Sequence, residues 1–180
     1  MELSGYSLNV EDAVAAIKQQ GYKTVAVQIP EGLKRSVFPL VEHLEQETGA
    51  LILVCAEPCY GACDVVNYEL KNMDVDFVIH IGHLEIPAVE NFWIPTMFVN
   101  AVSTLDVTPV VEKAVPSLVG KRIGLLTTAQ HLPMLETAEA VLRKHALEPI
   151  TPQGDERIGA KGQVLGCNFS AGMGSAENVD

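Results

Sequence analysis

Residues 23–32 read Lys-Thr-Val-Ala-Val-Gln-Ile-Pro-Glu-Gly, and this stretch decides the fold. Lys23–Ile29 is rich in β-branched residues and has the length of a buried strand. Pro30-Glu31-Gly32 turns the chain, and a helix is expected to follow as far as about Glu47, stopped by Gly49. Pro39 fits that helix with Ser36 as N-cap, because first-turn amides have no intrahelical partner to lose.

The same alternation continues on either side. Asn9 and Asp12 open a helix with Val10, Val14 and Ile17 on one face and Gly21 as its stop. Downstream, the pattern predicts a strand at Ala50–Val54, a loop at Cys55–Ala62 and a short helix at Cys63–Met73. Strands at Asp76–Ile81 and Pro95–Asn100 follow, and Thr108-Pro109 has the order of an N-cap and a first helical residue. The fold class is therefore α/β, with repeated small domains built on mainly parallel sheets flanked by helices. In such sheets ligands sit at the carboxyl ends of the strands.

A second round starts near Lys121. Arg122–Thr127 reads as a strand, Leu132–His145 as a helix and Leu147–Ile150 as a strand, before a Gly-rich segment ending in Gln163-Val164-Leu165-Gly166-Cys167. The order repeats the first round, with Gln28–Gly32 against Thr127–His131 and Cys63 against Cys167, which indicates an internal duplication. This divides the chain into a first domain at 1–105 carrying Cys63 and a partial second domain at 106–180 carrying Cys167. The second round lacks closing strands, so the chain is expected to be a piece of a longer protein.

Composition bounds the function. With 180 residues, 48% hydrophobic and 19% charged, the chain is long enough for a real core and ordinary for a globular protein. A formal charge of −11 without a Lys/Arg cluster opposes a phosphate backbone, so nucleic acid is not an expected partner. No apolar run approaches the roughly 18–20 residues of a membrane helix. Met1-Glu2-Leu3-Ser4 does not begin a signal peptide. A cytoplasmic location without membrane contact is expected, with the cysteines as reduced thiols.

Those cysteines carry the chemistry. Cys55, Cys59 and Cys63 are spaced C-x3-C-x3-C, and Cys167 stands alone. Thiolates are soft ligands suited to zinc or iron–sulfur clusters. Cys55 ends an apolar run and reads as a packing thiol. Cys63 lies in Tyr60-Gly61-Ala62-Cys63-Asp64, where Gly61 permits close backbone approach to a bulky ligand and an expected helix N-terminus favours a thiolate. A buried capping loop is the alternative. Cys59 is an auxiliary or spare thiol in the same loop. Cys63 and Cys167 gain weight together, because equivalent loops of a duplicated unit can converge on one centre.

His80 and His83 flank Ile81-Gly82 at the end of a strand, where either can meet substrate; His80 equally fits a satisfied core histidine. His131, after Thr127-Thr128-Ala129-Gln130, stands at an expected helix start suited to a carboxylate or phosphate, with capping by Thr128 as the plainer reading. Glu31-Gly32 occupies the matching first-round turn.

Five ordered motifs carry a resemblance. Gln28-Ile29-Pro30-Glu31-Gly32-Leu33, Tyr60-Gly61-Ala62-Cys63-Asp64, His80-Ile81-Gly82-His83, Thr127-Thr128-Ala129-Gln130-His131 and Gly162-Gln163-Val164-Leu165-Gly166-Cys167-Asn168 resemble the archaeal 2-(3-amino-3-carboxypropyl)histidine synthases, the first enzymes of diphthamide biosynthesis. The resemblance implies three similar α/β domains, each giving one cysteine to a single 4Fe-4S cluster, and a homodimer. Cys63 and Cys167 match the first two cysteines, and the third belongs to a domain this chain lacks.

The implied reaction transfers the 3-amino-3-carboxypropyl group of S-adenosylmethionine to a histidine of translation elongation factor 2, by radical chemistry that needs an electron donor. Gln28, Glu31, Tyr60, His83, Gln130 and His131 are then candidates to line the cofactor or substrate cleft. No general base stands out, and Cys55 and Cys59 are thiols beyond the family pattern. The alternatives are a non-enzymatic iron–sulfur or zinc-binding electron-transfer module, and a cluster-free binding domain whose cysteines only pack.

Overall fold

The computed structural model describes residues 1–87, 92–174 and 178–180. It divides into two compact units that change over at Ala101/Val102. The first unit opens with an antiparallel hairpin of β1 (Glu2–Leu3) and β2 (Tyr6–Leu8), followed by α1 (Glu11–Gln20). Its centre is a parallel sheet of β3 (Thr24–Gln28), β4 (Leu51–Val54), β5 (Phe77–Ile81) and β6 (Thr96–Val99) in the order β4-β3-β5-β6. Between β3 and β4 lie α2 (Glu31–Lys34) and α3 (Phe38–Thr48). The strand β7 (Ala101–Ser103) spans the change-over.

Period-2 alternation sorts the side chains of β3 and β5 onto two faces. Val25, Val27, Ile29, Phe77, Ile79 and Ile81 pack with Ala13 and Ile17 of α1 and Leu40 and Leu44 of α3 in the main core. The opposite face carries Ala26 and Val78, covered by Leu70 and Ile94 and by partly buried Cys55, Val65 and Val66. Gln28 and His80 fall on this second face by the same alternation and pair in register across β3 and β5. Strand order reverses at this pair of strands, so the two polar residues stand at the switch point of an open parallel sheet, where ligand crevices form.

Four local expectations are corrected. The helix predicted with Ser36 as N-cap is α3, capped at Val37 instead, and a separate short helix, α2, precedes it. Ser36 Oγ instead lies 2.6 Å from Ser4 Oγ.

The helix predicted at Cys63–Met73 does not form; this stretch is a series of turns. Its Asp64 carbonyl and Val66 amide bond the buried Gln28 side chain, which satisfies them without helical hydrogen bonds. Asn67 pins the following turn by accepting from Ile94 N at 3.0 Å and donating to Ile94 O at 3.0 Å.

The second unit contains α4 (Thr108–Ala114), β8 (Arg122–Gly124), α5 (Leu135–Lys144), β9 (Glu148–Ile150) and α6 (Ser170–Gly174). β8 and β9 pair in parallel, as β3 and β4 do. The strand predicted at Arg122–Thr127 ends at Gly124, and Thr127 pairs separately with Gln163. A 3₁₀ turn at Ala129–Met134, containing Pro133, precedes α5, so that helix starts later than Leu132.

One contact recurs in both units. Asp76 Oδ2 accepts the amides of Lys23 and Thr24 at the head of β3, and Asp180 Oδ2 accepts those of Lys121 and Arg122 at the head of β8. These bonds hold both carboxyls below the usual aspartate range, Asp180 down to about 2. The duplication read from the order of elements is thus repeated in a specific hydrogen-bonding device.

Among the described residues, no helix is long and apolar enough to cross a membrane. Ile79 is fully buried in the central strand β5. Ile79→Ala should cost about 2–5 kcal/mol through lost burial and the cavity left behind, read as a lower urea midpoint at unchanged m-value.

Candidate functional site

The carboxyl ends of β3, β4 and β5 lie on one edge of the sheet, because the strands are parallel. From that edge β3 presents Gln28, β5 presents His80, and the chain leaving β4 forms the Cys55–Asp64 loop. Gln28 and His80 are completely buried, and Cys59 is buried beside them.

Gln28 organises the group. Its Nε2 donates to Asp64 O at 2.6 Å, and its Oε1 accepts from Val66 N at 3.1 Å. These two bonds settle which way the amide faces. The same Oε1 lies 2.8 Å from His80 Nδ1 and must accept from it, so the proton of His80 sits on Nδ1. His80 Nε2 then holds a lone pair, 3.0 Å from His83 Nδ1 and 3.8 Å from Cys59 Sγ. His83 Nδ1 is also 3.9 Å from Cys59 Sγ. Cys59, His80 and His83 therefore converge on one point with the ligand types of a metal site.

Backbone geometry makes the convergence feasible. Gly82, between the two histidines, has φ +88°, and a Cβ there would lie 2.7 Å from Pro30 Cγ. Only glycine meets both conditions, and the turn it makes brings the His83 ring beside that of His80. Burial drives both imidazoles toward the neutral form, His80 down to about 4, with the neighbouring His83 acting in the same direction. Burial also raises the Cys59 thiol, with the Asp64 carboxylate adding to the effect, and pushes Cys55 up to about 11.

The other predicted cysteines are displayed differently. Cys63 is exposed in a loop closed by Tyr60 N to Asp64 Oδ2 at 3.0 Å and Asp64 N to Gly61 O at 3.0 Å. Cys167 is exposed in the second unit, in the tight turn closed by paired backbone bonds between Leu165 and Asn168. That turn is braced by Asn168 Nδ2 donating to Asp155 Oδ1 at 2.9 Å, while Arg157 and Asn168 together hold the Asp155 carboxyl down at about 2.

The remaining candidates fall in distinct places. Tyr60 is 84% exposed beside Cys63. Glu31 is exposed and pairs with Lys34 at 2.8 Å. His83 is half-buried at the cluster just described, whereas Gln28 presents nothing to solvent and acts through His80. In the second unit, Gln130 and His131 are half-buried in the 3₁₀ turn, and His131 Nδ1 is 3.4 Å from Thr128 Oγ1.

Two participants escaped the sequence reading. Lys34 donates to Ala56 O and Glu57 O, both at 2.7 Å, and so clamps the start of the cysteine loop onto α2. The partnership of Cys59 with His80 and His83 was also missed. A cysteine in a loop and a histidine pair at a strand end were the available signals, but nothing in their spacing joins them.

An open parallel sheet with buried imidazole and thiol groups at its switch point, and one exposed cysteine in each unit, defines an α/β protein whose donor set could hold a soft metal ion or cluster. Residues 29–180 match the family model described as "Putative diphthamide synthesis protein", and the chain belongs to that family. It is 35% identical to the 2-(3-amino-3-carboxypropyl)histidine synthase of Pyrococcus horikoshii over 91% of this chain and 47% of that protein. It is 27% identical to subunit 1 of the corresponding Caenorhabditis elegans synthase, over 91% of this chain and 42% of that one.

Among solved structures, Dph2 from Pyrococcus horikoshii with a 4Fe-4S cluster superposes with TM-score 0.83 at 33% identity, covering 92% of this chain and 49% of that one. The chain thus spans about half the length of the relatives it matches.

Two expectations test the buried cluster. With a chelator present, the His80 ring should stay neutral until the pH falls to about 4, as read by NMR titration of its ring protons. A histidine with a depressed folded pKa contributes stability that is full above about pH 6.5 and is lost as pH falls toward about 4, so the urea midpoint should decline across that window. Gln28→Leu strands the Asp64 carbonyl, the Val66 amide and His80 Nδ1 without their partner. The expected loss is about 2–4 kcal/mol, measured by urea unfolding at neutral pH.

Proposed function

We propose that this chain is part of an enzyme that transfers the 3-amino-3-carboxypropyl group of S-adenosylmethionine to a histidine of translation elongation factor 2, using a 4Fe-4S cluster. One observation carries the reading. Each of two duplicated α/β units displays one exposed cysteine, Cys63 or Cys167, in a tight loop in a chain of the diphthamide-synthesis family. The donor chemistry fits: both thiols are exposed, whereas Cys59 is buried and Cys55 half-buried.

Cys63 and Cys167 would be two of three thiolate ligands, the third coming from outside this chain. A cluster held by these thiolates would supply the electron for cleaving the sulfur–aminocarboxypropyl bond of S-adenosylmethionine, with methylthioadenosine as the by-product.

The chain's own residues hold and orient. Lys34 and the Tyr60–Asp64 bond fix the loop that presents Cys63, and the Asn168–Asp155 pair braces the turn that presents Cys167. Tyr60, Glu31 and His83 in the first unit and Gln130 and His131 in the second would line the cleft for cofactor and substrate histidine. Gln28 contributes by holding His80. The reading further implies a homodimer, an electron donor, a cytoplasmic setting, and no role for membrane or nucleic acid.

The test uses the full-length protein, reduced anaerobically with S-adenosylmethionine and elongation factor 2. Cys63→Ala and Cys167→Ala should each lose most of the iron–sulfur absorbance and lower group transfer at least about 100-fold. Transfer that survives either substitution would remove that cysteine from the site, and 5′-deoxyadenosine in place of methylthioadenosine would overturn the reaction. A stable cluster indifferent to S-adenosylmethionine would favour the non-enzymatic electron-transfer reading.

A further inference from the structure

We infer that Cys59, His80 and His83 form a second metal site, distinct from the cysteines assigned to the cluster, that takes one zinc-class divalent cation. The argument is independent of the proposed reaction and rests on the shape of the donor triangle. Zinc binds thiolate at about 2.3 Å and imidazole at about 2.0–2.1 Å. In a tetrahedron of those lengths, sulfur and nitrogen are about 3.6 Å apart and two nitrogens about 3.3 Å apart. Cys59 Sγ lies 3.8 and 3.9 Å from His80 Nε2 and His83 Nδ1, which are themselves 3.0 Å apart. The three atoms thus have nearly the spacing of one tetrahedral face.

The second shell supports the assignment. A metal-bound histidine characteristically donates its other ring N–H to a fixed acceptor, which sets the tautomer and aims the lone pair. Gln28 Oε1 performs this service for His80 Nδ1, and the amide is locked by its bonds to Asp64 O and Val66 N. His80 Nε2 is thereby a lone-pair donor before any cation arrives. Asp64, whose carboxylate acts electrostatically on Cys59, His80 and His83, supplies negative charge beside a site with one thiolate and two neutral rings. The sulfur–nitrogen donor set selects a zinc-type ion over magnesium or calcium, which take oxygen ligands.

Three protein ligands leave a fourth position open, as in zinc sites that bind water or a ligand group. Cys59 belongs to the loop that presents Cys63, so a cation held by Cys59, His80 and His83 would tie that loop to the end of β5. It also accounts for a thiol beyond the family pattern: Cys59 faces the histidines, not the surface where Cys63 stands.

The experiment titrates cobalt(II) into the intact chain, anaerobically and free of iron, and then competes with zinc(II). Wild type should bind one cobalt per chain, with a thiolate-to-cobalt charge-transfer band and the intense d–d absorption of tetrahedral cobalt, and zinc should displace it. Cys59→Ser should abolish the charge-transfer band and weaken binding at least about 100-fold, and His83→Ala should weaken it about 10–100-fold.

Cys63→Ala and Cys167→Ala should bind like wild type. Circular dichroism checks each fold, and the half-buried His83 provides the decisive variant should Cys59→Ser misfold. The inference is overturned if folded wild type takes up no cobalt at micromolar concentration. It is equally overturned if the charge-transfer band survives Cys59→Ser or disappears in Cys63→Ala.

Discussion

The arrangement at the sheet edge depends on one buried amide. Gln28 emerges from β3 on the face that the main core does not use, and its three hydrogen bonds each settle something different. The bond from Nε2 to the Asp64 carbonyl and the bond to Oε1 from the Val66 amide hold the chain just after Cys63 in a non-helical path. The bond from His80 Nδ1 chooses a tautomer. A completely buried amide is costly when unpaired, so the three bonds stand or fall as a group.

From that constraint the two kinds of cysteine separate. Cys59 is drawn inward to a pair of neutral imidazoles, while Cys63 stands outward on a loop closed by its neighbours Tyr60 and Asp64. Only three residues separate them in sequence, yet one faces a buried, polarised pocket and the other faces solvent. The second unit repeats the outward display with Cys167, using the Leu165–Asn168 turn and its Asp155 brace. It repeats the supporting frame as well, down to the aspartate that receives two strand-head amides.

Much of this was legible in the chain alone. The β-branched run at 23–29, the turn at 30–32 and the recurrence of both after Lys121 define a duplicated α/β fold, because period and order survive without knowledge of contacts. Tyr60–Asp64 and Gln163–Cys167 point to the family by local motif, and membership in that family is borne out. The local readings that failed have separate causes. A helix at Cys63–Met73 is reasonable by local propensity, but a distant side chain claimed its backbone groups, and the helix expected with Ser36 as N-cap begins one residue later, after the separate short helix α2.

The sequence by itself indicated the α/β class and where most of its strands lie, since these follow from patterns between near neighbours. Only the tertiary structure decided that Gln28 is a support for His80, that Cys59 faces His80 and His83, and that Lys34 clamps the loop between them. Those relations cross 52, 21, 24 and 22 positions of chain. They exist because parallel pairing of β3 with β4 and β5 brings three strand ends to one edge, a closeness that no local spacing encodes.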